Sequence, residues 1–219
     1  MAAKVHFWDM DHTIINNDCD VSWKEFMISK GLATEKAREK ADFFYQQYLE
    51  KCLDIDAFLR FQLEEIKGKS QVEVRELCFE HYENYAKPKM YAEAQKMIDQ
   101  QKANGDLVCL VTATNRYIAE PVADAFGIEN VLATELELVE GKFSGSHQDE
   151  YCCAAGKLVH MQRFLDKHGL TMDQASYFGD SSNDVPVLEA VGYPFASNPS
   201  DGLREHATNA GWTILDFEE

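Results

Sequence analysis

The sequence lacks any apolar run approaching the roughly 20 residues that a membrane-spanning helix requires. Its N-terminus, Met-Ala-Ala-Lys-Val-His, also lacks the basic and then apolar segments of a secretory signal peptide. These two absences predict a cytoplasmic protein with no membrane partner. Repeats, low-complexity tracts and long linkers are absent as well, so we expect one domain with an insertion or two small domains.

The sequence also lacks the cysteine spacing of a zinc site. None of the six cysteines belongs to a Cys-x-x-Cys pair, and the two closest, Cys152 and Cys153, are adjacent. Because there is no secretory signal, we expect all six to be reduced thiols, most of them buried.

Positive charge is scarce, with 21 lysines and arginines against 38 aspartates and glutamates, a formal net charge of −17. Such a surface repels a phosphate backbone, and the composition therefore predicts no nucleic-acid partner. Most of the negative charge is explained by solubility. Carboxylates that cluster within a site, however, are suited to binding a hard divalent cation.

The apolar pattern divides the chain into two kinds of structure. Residues 4–8 form a short apolar run ending at Asp9, which predicts a buried parallel strand. From Val21 to about Lys87, apolar residues recur at helical spacing and indicate roughly four helices. Strands and helices then alternate; the strands are expected at 107–111, 131–133, 175–178, 193–196 and 212–215, with a hairpin over 135–146.

This alternation predicts an α/β fold, a doubly wound, mostly parallel, Rossmann-like sheet with an inserted helical cap domain. The predicted core comprises residues 1–16 and 88–219, and the predicted cap comprises residues 17–87. Ligands in such folds bind at the carboxyl ends of the strands. Polar clusters follow three of the strands, at 9–13, 112–115 and 179–184, and we expect all three to face one crevice.

Two carboxylates from separate strands can bind Mg²⁺, which also favours water and phosphate oxygens as ligands. An aspartate placed there can attack phosphorus to form an acyl phosphate, while the metal offsets the repulsion between the two anions. A second carboxyl group would protonate the leaving alkoxide and later deprotonate water. In isolation, Asp9 and Asp11 would be explained as loop or helix-cap residues. Their position directly after a buried strand favours the catalytic interpretation.

Four sequence features then resemble, in order, the four motifs of the haloacid dehalogenase superfamily: Asp9-Met-Asp-His-Thr13, Thr112, Lys157 and Gly179-Asp180-Ser-Ser-Asn-Asp184. The helical stretch between the first two resembles the cap of the phosphoserine-phosphatase-like branch. This resemblance covers nearly the whole chain. It implies Mg²⁺-dependent hydrolysis of a small phosphate monoester through an aspartyl-phosphate intermediate. His12 departs from the family, many members of which have glycine there.

The resemblance implies a role for each matching residue. Asp9 would be the nucleophile and a Mg²⁺ ligand, and Asp11 would be the general acid/base, with its backbone carbonyl on the metal. Thr112 would bind the phosphoryl group, with the adjacent Ala113 as a second substrate contact. Lys157 would stabilise the charge of the nucleophile and the phosphate.

The remaining metal site would come from the fourth motif. Asp180 would bind Mg²⁺ directly, and Asp184 would either bind it or orient its water ligands. An acid at Asp11 also distinguishes phosphatases from dehalogenases within the superfamily.

Asp18 and Asp20 follow the first motif and should lie where the cap joins the crevice. Phosphoserine phosphatases hold the substrate ammonium with an acid that matches Asp18; the alternative is that Asp18 only caps the first cap helix. Gln62 matches the arginine with which those enzymes clamp the substrate carboxylate, and Arg60 lies two residues away. A neutral amide cannot replace that charged pair. An amine-bearing ester without a carboxylate, such as histidinol phosphate, is therefore expected as a substrate beside phosphoserine.

Two other functions are compatible with the same residues. One is a phosphotransferase or mutase on this fold, and the other is a non-catalytic module that binds a phosphorylated metabolite. In each case the expected partner is a small phosphorylated metabolite, and the sequence leaves the oligomeric state open.

Overall fold

The computed structural model describes residues 3–50 and 52–218. Its sheet has seven strands in the order β4-β3-β2-β1-β5-β6-β7. Every neighbouring pair is parallel except the β3–β4 hairpin at one edge. The strands are β1 (Val5–Trp8), β2 (Leu107–Asn115), β3 (Asn130–Val139), β4 (Lys142–Gln148), β5 (Ala175–Gly179), β6 (Tyr193–Ser197) and β7 (Thr213–Leu215).

The α-helices of the described chain fall into two groups. Four lie between β1 and the rest of the sheet and form the helical insertion: α1 (Cys19–Ser29), α2 (Lys36–Leu49), α3 (Ile55–Gln62) and α4 (Gln71–His81). The others alternate with the later strands: α5 (Ala92–Ala103), α6 (Arg116–Phe126), α7 (Ala155–His168), α8 (Val185–Ala190) and α9 (Asp201–Ala210). None of the described helices combines the length and the apolar character needed to cross a membrane.

Side-chain caps fix where two of the helices nearest the sheet edge begin. The Asp18 carboxylate accepts a hydrogen bond from the Val21 backbone N–H at 2.9 Å, at the start of α1. The Asn115 side chain accepts from the backbone N–H groups of Tyr117 and Ile118, at the start of α6. Each bond satisfies a donor that the first helical turn leaves unpaired.

Apolar side chains cover both faces of the sheet. On one face Trp8 stacks on Phe178 with ring centroids 3.7 Å apart, and Phe178 stacks on Phe195 at 4.4 Å. Phe7 and Tyr177, at alternate strand positions, point to the other face and pack with side chains of α7, α8 and α9. Helices on both faces confirm the predicted doubly wound, mostly parallel sheet with its helical insertion.

Two strands extend well beyond the apolar pattern. One is β2, which continues past its predicted end at Val111 to Asn115, and the other is β3. The sequence indicated a short strand at 131–133 and a separate hairpin from 135, whereas β3 runs without interruption from Asn130 to Val139. Polar Thr134 interrupts the apolar pattern, but it is fully buried and its hydroxyl donates to the Ala113 carbonyl oxygen at 2.7 Å. Because that bond satisfies the hydroxyl, β3 continues through this position into its antiparallel pairing with β4.

The hairpin also contacts the helical insertion through backbone atoms. The Gly68 N–H donates to the Phe143 carbonyl oxygen at 2.8 Å, and the Phe143 N–H donates to the Lys69 carbonyl oxygen at 3.0 Å. The segment between α3 and α4 is therefore bonded to the edge strand β4.

The cysteines follow the expectation from their spacing. All six are free thiols, and four are buried, while Cys52 is exposed and Cys153 is half-buried.

Candidate active site

The carboxyl ends of β2, β1 and β5 are neighbours, and they bring the three polar clusters to one edge of the sheet. A cavity of about 740 Å³ lies over this edge, between the sheet and the helical insertion. Every residue proposed for the site lines it: Asp9, Asp11, Asp18, Gln62, Thr112, Ala113, Lys157, Asp180 and Asp184. The structure thus places the predicted site residues around a single space.

Three carboxylates form the acidic centre of the site. Asp9, Asp180 and Asp184 each offer one oxygen atom, and these atoms lie within 4.8 Å of one another. Burial raises the pKa of Asp9 to about 6, although the positive charge of Lys157 opposes the shift. Burial and the charges of Asp9 and Asp184 raise the pKa of Asp180 well above its usual value. A divalent cation would relieve this repulsion, and an all-oxygen donor set suits Mg²⁺. The residues present therefore fit the metal.

Lys157, in the first turn of α7, supplies the positive charge next to this centre. Its Nζ lies 2.8 Å from Asp9 Oδ2 and 2.8 Å from Asp184 Oδ1, and the residue is 4% exposed. Burial alone would lower the pKa of Lys157, but the two carboxylates outweigh it and hold the pKa well above its usual value. The lysine is therefore a permanent cation at the Asp9 carboxylate.

Tyr177 is a buried member of the site that sequence reasoning missed. Its hydroxyl donates to Asp184 Oδ1 at 2.7 Å and accepts from Lys157 Nζ at 2.8 Å. In the sequence it looks like any core aromatic of strand β5. The available signal was its position two residues before Gly179, which places it on the same face of the strand as the start of the fourth motif.

Asp11 lies outside the group of three carboxylates and is held by neutral donors. Its Oδ1 accepts from the Cys19 backbone N–H at 2.8 Å, and its Oδ2 accepts from the Thr114 hydroxyl at 2.9 Å. Burial, together with the charges of Asp18 and Asp20, raises the pKa of Asp11 well above its usual value. This environment favours the protonated carboxyl group that a general acid needs.

Thr112 and Ala113 begin the second cluster, near the carboxyl end of β2. Thr112 is buried, and its Oγ1 accepts a hydrogen bond from the Thr114 backbone N–H at 3.1 Å. Both residues line the cavity beside the acidic centre, where a phosphoryl group would lie.

The two predicted substrate contacts of the insertion have partners within the protein. Asp18 caps α1, as the alternative interpretation expected. Gln62, at the end of α3, donates from Nε2 to the Asp20 carbonyl oxygen at 2.7 Å and to Asp20 Oδ1 at 3.1 Å. The Gln62–Asp20 contact joins residues 42 positions apart, and no local pattern in the sequence indicated it. Arg60 is exposed.

Comparison with known proteins agrees with this geometry. The model of the haloacid dehalogenase-like hydrolase family matches residues 6–189. A histidinol-phosphatase of Neisseria meningitidis is 33% identical, over 96% of this chain and 97% of that protein. Phosphoserine phosphatase SerB1 of Mycobacterium tuberculosis is 30% identical, over 96% of this chain and 70% of its own length.

Two solved structures are also similar. A protein of unknown function from Bordetella pertussis Tohama I superposes with a TM-score of 0.90, at 32% identity and over 99% of both chains. A substrate-bound phosphoserine phosphatase complex superposes with a TM-score of 0.72 over 98% of this chain and 93% of its own; at 17% identity it shows likeness of fold alone. The chain therefore belongs to the haloacid dehalogenase-like hydrolase family and is one of its phosphatases.

Proposed function

We propose that the protein is a Mg²⁺-dependent phosphatase that hydrolyses a small, amine-bearing phosphate monoester through an aspartyl phosphate formed on Asp9. The observation that carries this proposal is the arrangement around Asp9. Its carboxylate has Lys157 Nζ at 2.8 Å on one side and lies within 4.8 Å of the Asp180 and Asp184 oxygens. A nucleophile, a fixed cation and a metal-binding set thus converge on one point at the strand ends.

In the first step an Asp9 carboxylate oxygen attacks phosphorus, and the bond from phosphorus to the ester oxygen breaks. Asp11 gives its proton to the departing alkoxide. Lys157 and the Thr112 hydroxyl stabilise the charge on the phosphoryl oxygens. Mg²⁺ held by Asp9, Asp180 and Asp184 would neutralise further negative charge on the phosphoryl group.

In the second step Asp11, now ionised, takes a proton from water as the water attacks phosphorus. The bond between Asp9 and phosphorus breaks, and inorganic phosphate leaves with Asp9 restored. Hydrogen bonds from Cys19 N and Thr114 Oγ1 keep the Asp11 carboxyl group in one orientation through both steps.

The substrate class is inferred from two features. Gln62 stands where an arginine would clamp a carboxylate, and acids rather than bases line this part of the cavity. The relative from Neisseria meningitidis, named a histidinol-phosphatase, supports a substrate that bears an amine but no carboxylate. In the same proposal residues 17–87 act as a cap over a core of residues 1–16 and 88–219, and the setting is the cytoplasm.

The test is hydrolysis of p-nitrophenyl phosphate and of histidinol phosphate by the purified protein and by Asp9→Asn. We expect turnover with Mg²⁺, none with EDTA, and a loss on the order of a thousandfold or more in the variant. Full activity in EDTA, or a variant with more than a few per cent of the wild-type rate, would contradict the proposal. Addition of an acceptor alcohol distinguishes a phosphatase from a phosphotransferase, because the latter would form a new ester in place of inorganic phosphate.

A further inference from the structure

The wall of the cavity formed by the insertion carries a carboxyl group that forms no ion pair within the described chain. Asp20 lies in the first turn of α1 and lines the cavity. The charged group that could balance it, Lys24, is paired elsewhere: its Nζ contacts Glu65 Oε2 at 2.7 Å and the Phe61 carbonyl oxygen at 2.9 Å. Burial, and then the charge of Asp18, raise the pKa of Asp20 to about 7. An acid in such surroundings is stabilised by a cation from outside the chain.

Gln62 fixes the orientation of this acid. Its Nε2 donates to both the backbone oxygen and Oδ1 of Asp20, and the residue is 2% exposed. Among the described residues no hydrogen bond reaches Asp20 Oδ2 or Gln62 Oε1, and neither atom is enclosed within the protein. Two acceptor oxygens therefore remain available to a donor in the cavity.

Aromatic rings line the cavity alongside these oxygens. Phe44 packs against Phe58 and Phe61 with centroids 5.7 Å and 5.4 Å apart, and all three line the cavity. Lys24 Nζ and Lys40 Nζ already lie 4.1 Å and 5.0 Å from the Phe61 centroid, so the rings that matter for a ligand are Phe44 and Phe58. Tyr151 also lines the cavity, and burial, followed by the charge of Asp20, raises the pKa of its hydroxyl well above its usual value. Aromatic rings and a carboxylate together suit an organic cation. The face of a ring attracts the cation through its quadrupole, and the carboxylate attracts it through its charge.

Asp18 also lines the cavity, but its carboxylate already has a structural role as the cap of α1. One of its carboxylate oxygens accepts from the Val21 N–H and caps α1. Moving that carboxylate to a ligand would leave the first turn of the helix without its cap.

We propose that Asp20, held in place by Gln62, determines specificity by binding the protonated nitrogen of the substrate alcohol. Asp18 has a structural role instead, as the N-cap of α1. This inference rests on the proposed function, because it names the substrate class of the same site. The class is a phosphate monoester whose alcohol bears a cationic nitrogen and no carboxylate. A carboxylate there would meet the negative charges of Asp18 and Asp20, and Arg204, which also lines the cavity, is already paired with Asp216.

The experiment compares kcat/KM for histidinol phosphate, phosphoserine and n-propyl phosphate in wild type, Asp20→Asn and the matched control Asp18→Asn. Wild type should prefer histidinol phosphate. Asp20→Asn should lower kcat/KM for histidinol phosphate by roughly tenfold or more, as expected for loss of one charge-assisted contact, and change n-propyl phosphate by less than about twofold. Asp18→Asn should affect the three esters equally and leave the melting temperature nearly unchanged, because asparagine caps a helix as well as aspartate does. A uniform loss in Asp20→Asn, or a loss selective for amines in Asp18→Asn, would overturn the assignment.

The role of Gln62 as a positioning residue has its own readout. Gln62→Met should reduce the preference for histidinol phosphate over n-propyl phosphate, and it should have no further effect once Asp20 is Asn. Additive losses in the double variant would show that Gln62 acts independently of Asp20.

A binding measurement distinguishes failure of this inference from failure of the proposed phosphatase function. Histidinol phosphate titrated calorimetrically into Asp9→Asn, with and without Asp20→Asn, reports recognition without turnover. Weaker binding upon loss of Asp20 supports this inference even if no ester is hydrolysed, a result that would contradict only the proposed function. Unchanged binding overturns the inference whether or not the protein is a phosphatase.

Discussion

Asp9 and Asp11 are two residues apart, but their surroundings prepare them for opposite roles. Asp9 has Lys157 Nζ at 2.8 Å, which favours its ionised form. Asp11 is buried between neutral donors, Cys19 N and Thr114 Oγ1, and near the negative charges of neighbouring acids, which favours its protonated form. Two carboxyl groups whose surroundings favour different protonation states are typical of sites that need a nucleophile and an acid together.

Replacing Asp11 with Asn tests the acid. The change removes the proton donor and keeps the size of the side chain, so esters with poor leaving groups should suffer most. We expect kcat/KM for n-propyl phosphate to fall about a hundredfold or more and that for p-nitrophenyl phosphate by less than about tenfold. Steady-state kinetics on both esters makes the comparison. Equal losses on the two would show that Asp11 acts through the structure or the metal.

Tyr177→Phe tests the residue that sequence reasoning missed. The hydroxyl orients Asp184 and contacts Lys157, so its loss should weaken Mg²⁺ binding or activity by roughly tenfold to a hundredfold. The Mg²⁺ concentration that gives half-maximal activity is the measurement. Tyr193→Phe, on neighbouring strand β6 and outside the cavity lining, is the matched control and should behave as wild type. An unchanged Mg²⁺ dependence in Tyr177→Phe would leave the tyrosine with a packing role only.

The sequence predicts those residues of the site that a local pattern marks, and it does not predict those that depend on contacts between remote segments. Asp9, Thr112 and Asp180 could be identified because each directly follows a strand predicted from the sequence, and parallel strands end at the same edge of a sheet. The contact between Asp20 and Gln62 depends on how α1 packs against α3, which no local pattern encodes. Tyr177 was hidden because a buried aromatic in a strand has the same signature whether it packs or positions a carboxylate.

At the scale of elements, the start of α7 determines where Lys157 lies. Ala154, just before the helix, has a φ of 47°, a region that side chains rarely adopt. Gly156 has no space for a side chain, because a Cβ there would lie 1.9 Å from the Tyr151 carbonyl oxygen. The loop is therefore tightly constrained immediately before the catalytic lysine.

Two substitutions in this loop should have opposite effects. Gly156→Ala should lower the free energy of unfolding by about 1–3 kcal/mol and reduce activity, because the loop must shift and carries Lys157 with it. Ala154→Gly should relieve backbone strain and raise the free energy of unfolding by about 1 kcal/mol. Urea denaturation followed by circular dichroism measures both. A Gly156→Ala variant of wild-type stability would mean that the loop has room to adjust.

The strand pattern shows both the reach and the limit of prediction at this scale. Buried strands such as β1 and β5 are continuous apolar runs bounded by polar clusters, and the sequence located both. The sequence predicted two strands in place of β3 because the polar residues Thr134 and Glu135 interrupt the apolar pattern. Buried Thr134 is acceptable within a strand because its hydroxyl donates to the Ala113 carbonyl oxygen on β2 and accepts from the Cys152 N–H.

At the scale of the whole molecule, the acidic centre couples metal binding to stability. Asp9, Asp180 and Asp184 repel one another, and Mg²⁺ that binds only the folded state should raise the melting temperature. With Mg²⁺ at about a hundred times its dissociation constant, the gain is about 2.7 kcal/mol, or roughly 5–10 °C for a chain of this size. Thermal denaturation with and without Mg²⁺ measures it.

Asp180→Asn sharpens this prediction. Removing one of the repelling charges should raise the melting temperature without metal and abolish most of the response to Mg²⁺, while activity is lost. Asp42→Asn, an exposed change on α2, should retain the full response. An undiminished Mg²⁺ response in Asp180→Asn would place the stabilising ion elsewhere.

The backbone bonds between residues 68–69 and Phe143 affect how a substrate reaches the cavity. The insertion is joined to the core by its two chain connections, at the hairpin, and where α4 packs against α6, with the Tyr117 hydroxyl donating to Gln71 Oε1 at 2.9 Å. A rigid unit attached at several separate points cannot rotate open about a single hinge. Access must therefore come from bending within the insertion, where α2 contacts the strand-end loops through Tyr48 Oη and Ser181 Oγ, 3.4 Å apart. The rate of that local bending, rather than of a domain rotation, would then set an upper limit on turnover.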